Sequence, residues 1–146
     1  MSVWVSPLTL AEITEVSRRT ASGHIGVTFT GIGADWLEGS LPLDERTRGP
    51  DGAVHHGALA ILAETLGSVA ATMCVDVSRR ACLGQILHLQ HLGAVEHGPL
   101  SARARPLWIE PQNHLWEIEV RDGTGARVCV AQLALAIVDR PPGPPR

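Results

Sequence analysis

One carboxylate stands alone in a long apolar segment, and its surroundings suit nucleophilic or acid–base chemistry. From position 57 to 75 the chain reads GALAILAETLGSVAATMCV, in which Glu64 is the only charged residue. An ionised carboxylate in an apolar helix is costly to desolvate, so such groups are rarely buried without a partner. Ser68 follows one helical turn later, where side chains are neighbours, so the segment pairs an acid with a hydroxyl.

A helix over this segment has two unlike faces, since successive residues are about 100° apart around its axis. The bulky face, which predicts contact with a core, carries Leu59, Leu62, Leu66, Val69 and Met73. The face of small residues carries Gly57, Ala60, Glu64, Ser68 and Ala71. The small face leaves room for a ligand beside the acid. The pattern also fits a glutamate that reaches solvent or pairs with an arginine elsewhere, because unusual carboxylates mark functional sites only in some proteins.

Other periodic segments predict a sheet around this helix. Helical spacing predicts a short N-terminal helix over 7–19 with Thr9 as its cap, and alternation predicts a hairpin over 25–43. Further alternating segments predict four strands, near 83–91, 100–105, 116–120 and 127–138. In the first of these strands, alternation places Leu83, Gln85, Leu87, Leu89 and His91 on one face. Short connections favour antiparallel pairing.

Composition limits the class of protein. The chain has 146 residues, of which 45% are hydrophobic and 18% charged, as in one globular domain. We expect this domain to span 1–139 and the Pro-rich end, 140–146, to be disordered. A net charge of −3 without a basic run argues against nucleic-acid binding. The longest apolar segment contains polar residues, which argues against a membrane span. Three cysteines without a CxxC motif and the lack of a signal-peptide pattern predict a cytoplasmic protein.

The central helix predicts self-association. Its sequence is apolar on more than one face, whereas a single sheet covers only one side of a helix. A second copy of the chain is the economical cover for the other side, so we expect at least a homodimer.

The run LPLDERTRGPDGAVHHGALAILAETLGSVAA resembles the signature of hotdog-fold acyl-CoA thioesterases, particularly bacterial hydroxybenzoyl-CoA and dihydroxynaphthoyl-CoA thioesterases. The later segments LHLQHL and NHLWEIEV match in order and spacing, and the resemblance covers residues 20–138. It implies an α+β hotdog fold, in which about six antiparallel strands wrap one long central helix. It also implies a homodimer or homotetramer that hydrolyses an acyl-CoA or acyl-carrier thioester. Coenzyme A is then part of the substrate, and no cofactor or metal is required.

The resemblance also implies roles for individual residues. Glu64 matches the catalytic carboxylate, a nucleophile or a general base, and Ser68 matches the residue that orients it or the water. His55 and Gly57 match the first and third positions of the family's His-Gly-Gly. The backbone N–H of the middle position, here His56, polarises the carbonyl, and one subunit supplies this N–H while the other supplies the carboxylate. The positions implied in substrate binding are Gly49, Ala60, Ala71, Gln90 and His91.

The chain departs from the family pattern at two of these positions. His56 stands where the family has glycine, and its side chain is expected either to crowd the carbonyl or to take over as a hydrogen-bond donor to it. Gly49 stands where the family usually has a glutamine that helps to hold the carbonyl. Two alternatives to hydrolysis therefore stay open: a hotdog protein that binds an acyl group or acyl carrier without hydrolysis, and a hotdog hydratase or dehydratase.

A metal site is not expected from the histidines. His88 and His91 are three residues apart on a predicted strand, so their side chains point to opposite faces. His55, His56 and Glu64 lack the spacing of a zinc-binding helix.

Overall fold

The computed structural model describes residues 1–141, in which one antiparallel sheet wraps a long helix. The elements are α1 (Leu10–Ser17), α2 (Ala21–His24), β1 (Thr28–Ile32), β2 (Leu37–Leu41), α3 (His56–Met73), β3 (Arg80–His91), β4 (Leu100–Ile109), β5 (Asn113–Arg121) and β6 (Arg127–Asp139). The six strands lie in the order β1-β2-β4-β5-β6-β3, and every neighbouring pair is antiparallel. The predicted α+β architecture is confirmed. The sequence predicts disorder for residues 140–146, of which 142–146 lie outside the described residues.

The core lies between α3 and the inner face of the sheet. The bulky helix face is buried as predicted through Leu59, Leu62 and Leu66, which pack with inward residues of the strands such as Trp116. Gly67 allows the close approach of helix and sheet, because a Cβ there would lie 2.7 Å from Cδ2 of Leu133. Along β5, buried residues such as Trp116 alternate with half-exposed ones, so the period of two in the sequence reflects one buried face of the strand.

A bulge in β3 changes which residues face the helix. The register with β6 shifts between Gly84 and Ile86, so that Leu83 pairs with Ala136 and Gly84 pairs with buried Leu135. The predicted placement of Leu83 on the face of His91 is therefore wrong. Its side chain is 49% exposed on the outer face, because the extra residue of a bulge reverses the alternation.

The N-terminal helices differ from the prediction in extent. Thr9 caps α1 as predicted, within a capping box that Glu12 completes, but α1 ends at Ser17. A second helix of four residues, α2, follows at once, and its length is too short to produce a helical period in the sequence.

β3 forms an edge of the sheet and leaves its outer side unpaired within residues 1–141. It has 12 residues, and among its side chains Ile86 is 67% exposed and Leu83 is 49% exposed. A long edge with exposed apolar side chains is a template for pairing with another strand. Within the described residues, no helix has the length and apolar character needed to cross a membrane.

Candidate active site

The start of α3 presents one free backbone donor. His55 is the N-cap, with φ −68° and ψ 129°, and its Nδ1 accepts a hydrogen bond from the Gly57 N–H at 2.9 Å. The N–H groups of Ala58 and Leu59 donate to the His55 carbonyl, at 2.9 and 3.4 Å. The His56 N–H makes no hydrogen bond among residues 1–141. This donor therefore stands free at the positive end of the helix dipole.

The side chain of His56 is stacked on another imidazole. Its ring lies 3.7 Å from that of His91, measured between centroids, with 17° between the ring planes. His91 is half-buried on the inner face of β3. Burial, and to a lesser degree the charge of His56, lowers the pKa of His91, so the site favours an uncharged His91 ring. Sequence reasoning missed this contact because 35 residues separate its partners.

The loop before α3 brings Gly49 to the same place. The loop is closed by the Gly49 N–H, which donates to the Ala53 carbonyl at 2.8 Å, and by Gly52, which has a φ of +83°. A Cβ at Gly49 would lie 3.9 Å from the Cα of His55. A side chain at position 49 would therefore lie beside the start of α3.

Glu64 and Ser68 form the second part of the site. The Ser68 hydroxyl donates to Oε1 of Glu64 at 2.5 Å, as the spacing of four residues predicts. None of the ion pairs within residues 1–141 involves Glu64, and its side chain is exposed in the single chain. The arginine pairing that the sequence left open is therefore not observed among these residues.

A cavity of about 580 Å³ opens beside Glu64 and Ser68. Residues from α3, from β3 and from the α1–α2 region line it, namely Val16, Ser17, Thr20, Ala21, Ser22, Ala60, Ile61, Glu64, Thr65, Ser68, Val69 and Leu87. Gly84 adds to this space, because a Cβ there would lie 3.5 Å from Oε1 of Glu64. The walls from the N-terminal helices and from β3 were not predicted, since nothing in their local sequence indicates contact with α3.

The structure separates the predicted substrate-binding residues. Ala60 lines the cavity, whereas Ala71 is fully buried in the core, about 10 Å beyond Glu64 along the helix axis. Gln90 pairs with Val130 and is exposed, on the opposite face of β3 from His91.

The two parts of the site lie apart within one chain. His56 and Glu64 are eight residues apart on one helix, which corresponds to about 12 Å along its axis. One part contains Glu64, Ser68, Ala60 and the cavity. The other contains the helix start, its free N–H, His91 and Gly49.

Other reactive groups within the described residues are poorly suited to chemistry. All three cysteines are unpaired, and burial followed by the nearby Cys82 raises the pKa of Cys74 to about 12, so its thiolate is scarce near neutral pH. Residues 1–141 contain no group of three or more metal-ligating side chains.

Comparison with known proteins gives the family. Residues 51–129 match the family model described as the thioesterase superfamily. The chain belongs to this superfamily. A mutant thioesterase from Pseudomonas aeruginosa, with a glutamine-to-alanine change, is similar in structure, with a TM-score of 0.93 and 32% identity over 95% of this chain and 100% of that chain. A thioesterase from Haemophilus influenzae gives a TM-score of 0.90 and 31% identity over 94% of this chain and 95% of that chain.

A sequence relative from Pasteurella multocida, named as a proposed esterase, is 33% identical over 92% of this chain and 96% of its own length. The hotdog fold and the thioesterase resemblance drawn from the sequence are thus confirmed at the level of the superfamily. The superfamily is one of thioester hydrolases, whereas the roles of individual residues stay predictions.

Proposed function

We propose that this protein hydrolyses an acyl thioester of coenzyme A or of an acyl-carrier protein, with Glu64 as the nucleophile or general base. The observation that carries the proposal is the Glu64 carboxylate, which faces a cavity, is oriented by Ser68 at 2.5 Å and forms no ion pair within residues 1–141. A carboxylate held in this way can attack a thioester carbonyl or take a proton from an attacking water.

In this proposal the free N–H of His56 stabilises the carbonyl oxygen of the substrate. As the carbonyl carbon is attacked, its oxygen gains negative charge, which a helix N-terminal N–H stabilises. The C–S bond then breaks, and the thiolate leaves and takes up a proton. In the route with Glu64 as nucleophile, loss of the thiolate leaves a mixed anhydride on Glu64, which water hydrolyses to release the acid and regenerate the carboxylate. In the route with Glu64 as base, the carboxylate removes the proton of the water whose oxygen becomes part of the acid product. Thiolates are good leaving groups, so this route needs no metal or cofactor besides the coenzyme A of the substrate.

We propose that the two parts of the site meet across a homodimer. Reacting atoms must approach to about 3–3.5 Å, but Glu64 and the His56 N–H are separated by about 12 Å along one helix. Both parts lie near the unpaired edge strand β3: Gly84 is beside Glu64, and His91 is beside His56. Antiparallel pairing of β3 with a second copy, about a two-fold axis near Leu87, would bring Gly84 opposite the partner's His91. It would also satisfy the unpaired backbone edge of β3, beside the exposed Ile86.

The chemistry is tested by measuring free thiol release from a panel of aryl and fatty acyl-CoAs and acyl-carrier thioesters. We expect Glu64→Ala and Glu64→Gln to abolish turnover while Glu96→Gln, at an exposed glutamate, retains it. Wild-type turnover in either Glu64 variant would show that the carboxylate is not catalytic.

The shared site is tested by mixing two inactive variants, Glu64→Ala and His56→Pro. Random exchange of protomers yields about half heterodimers, each with one intact site out of two, so about a quarter of wild-type activity should return. A site contained within one chain would give no recovery. Sedimentation should show a dimer or tetramer, and a fully active monomer would also refute the shared site.

A second candidate function is binding of an acyl thioester without hydrolysis. Two observations favour it: position 49 has no side chain to hold the carbonyl, and position 56 carries an imidazole. Micromolar binding of intact thioesters with no thiol release across the panel would support this alternative. Loss of water from a 3-hydroxyacyl thioester would instead indicate a dehydratase.

A further inference from the structure

The side chain of His56 raises a steric problem at the proposed site. In a helix the Cα–Cβ bond tilts toward the N-terminus. The first residue of α3 therefore directs its side chain toward the side from which a carbonyl must approach the free N–H. A freely rotating imidazole there would occupy the approach path in part of its rotamers.

We propose that His91 is a positioning residue whose ring holds the His56 imidazole against β3 and so keeps the His56 N–H open to the substrate carbonyl. The inference rests on the proposed function, because it assigns His91 a role in that same reaction. It differs from direct substrate binding, since His91 would act through the side chain of His56.

The geometry of the stacked rings is suited to holding the His56 side chain in one orientation. Parallel rings at 3.7 Å are in full van der Waals contact, which restricts the χ angles of His56. The supporting strand is fixed, because His91 pairs with buried Cys129 of β6 and the next residue, Leu92, donates its N–H to the Val128 carbonyl at 2.9 Å. His56 itself lies at an exposed helix start.

Charge supports the same arrangement. Burial lowers the pKa of His91, and a positive charge on His56 lowers it further, so the two rings are not both charged near neutral pH. Repulsion between two imidazolium groups therefore does not oppose the contact. The stack can then persist under the conditions in which a thioesterase assay is run.

A double-mutant cycle in the full-length protein tests the positioning role. With the stack lost, the His56 side chain redistributes among about two or three χ1 wells, so His91→Ala should lower kcat by about threefold. KM should change little, since the N–H acts mainly on the transition state. His91→Phe keeps a ring at the position and should restore kcat. The matched control His97→Ala, at an exposed histidine outside α3 and β3, should leave kcat and KM unchanged.

The decisive comparison uses a background without the imidazole. In His56→Gly, whatever its own rate, adding His91→Ala should cause no further loss, because no side chain remains to be held. An equal loss in both backgrounds would overturn the proposal and assign His91 to direct substrate contact. An unchanged kcat in His91→Ala alone would overturn it as well.

A measurement without substrate separates this proposal from the proposed function. In NMR spectra, the ring protons of His56 should be shifted upfield by the stacked ring in the wild type and in His91→Phe, and this shift should vanish in His91→Ala. Unmoved His56 resonances would refute the stack itself. If Glu64→Ala abolishes hydrolysis but His91→Ala lowers kcat equally with and without the His56 imidazole, only the positioning role fails. If the wild type releases no thiol, the proposed function fails and the positioning role falls with it.

Discussion

Replacing His56 with proline removes the proposed carbonyl donor while leaving the rest of the helix start unchanged. Proline is favoured at the first position of a helix, which His56 occupies. The residue before a proline must be extended, and His55 already has φ −68° and ψ 129°. The lost N–H makes no hydrogen bond among residues 1–141, so no intramolecular bond is broken. We therefore expect His56→Pro to fold with unchanged helical content and thermal stability.

The expected effect on catalysis is large because the donor has no substitute. Loss of one donor to a developing oxyanion costs about 10²–10³ in kcat, or roughly 2.7–4 kcal/mol of transition-state stabilisation. Gly49 provides no side chain that could take over, and the neighbouring N–H of Gly57 is engaged by His55 at 2.9 Å. The matched control is His56→Ala, which also removes the imidazole but keeps the N–H. Similar rates of free thiol release in the proline and alanine variants, both folded, would refute the assignment of the N–H.

Three further predictions concern single residues around the site and in the core. Ser68→Ala should lower kcat by about 10- to 160-fold, because a hydrogen bond to a charged group contributes about 1.5–3 kcal/mol, while Ser68→Thr should retain activity; equal rates of thiol release in Ser68→Ala and the wild type would contradict this. Gly49→Gln should raise kcat about tenfold or more by restoring a carbonyl donor, and Gly49→Ala should not. The nearest atom to a Cβ at position 49 would be Oδ1 of Asp51, at 3.2 Å, so the fold has room for a side chain there. An unchanged kcat in Gly49→Gln would therefore refute a role of this position in holding the carbonyl. His114 is 3% exposed, and burial lowers its pKa, so the unfolded chain binds a proton first as pH falls below about 6.5 and stability is lost toward acid. Urea unfolding at about pH 7.5 and pH 5.5 measures this loss. Between the two pH values the free energy of unfolding should decrease less for His114→Leu than for the wild type, by at most about 1.4 kcal/mol per pH unit. Equal decreases in the two proteins would contradict the prediction.

The sequence predicts the fold well where one face of an element is buried. Trp116, Ile118 and Val120 are all fully buried, and the alternation that indicated β5 follows from that burial. The bulge near Gly84 was not predictable in the same way, because it changes the register of β3 without changing the composition of the strand. The four residues of α2 are likewise fixed by their packing, not by a period.

The parts of the site that sequence reasoning predicted are those set by local geometry. Glu64 and Ser68 are one turn apart, so any helix through them places the hydroxyl beside the carboxylate, as observed at 2.5 Å. The contact of His56 with His91 depends on how β3 packs beside the start of α3, and no local rule relates the two positions. The expectation that the imidazole crowds the carbonyl came from the helix alone, without the strand that holds the ring.

The separation of Glu64 from the helix start explains why a single chain leaves its proposed nucleophile exposed. A carboxylate enclosed within one protomer, far from the carbonyl-polarising N–H, would have to be desolvated at the cost of several kcal/mol without gaining the reaction partner. In the proposed dimer, desolvation of Glu64 and completion of the site occur in the same step, as the edge of β3 pairs and the two copies come into contact. Association then provides the apolar burial that offsets desolvation of the carboxylate. Variants that weaken β3 pairing, such as Ile86→Lys at the 67% exposed position, should therefore lose activity and dimer together. A monomeric Ile86→Lys protein with wild-type turnover would show that the chain completes its site alone.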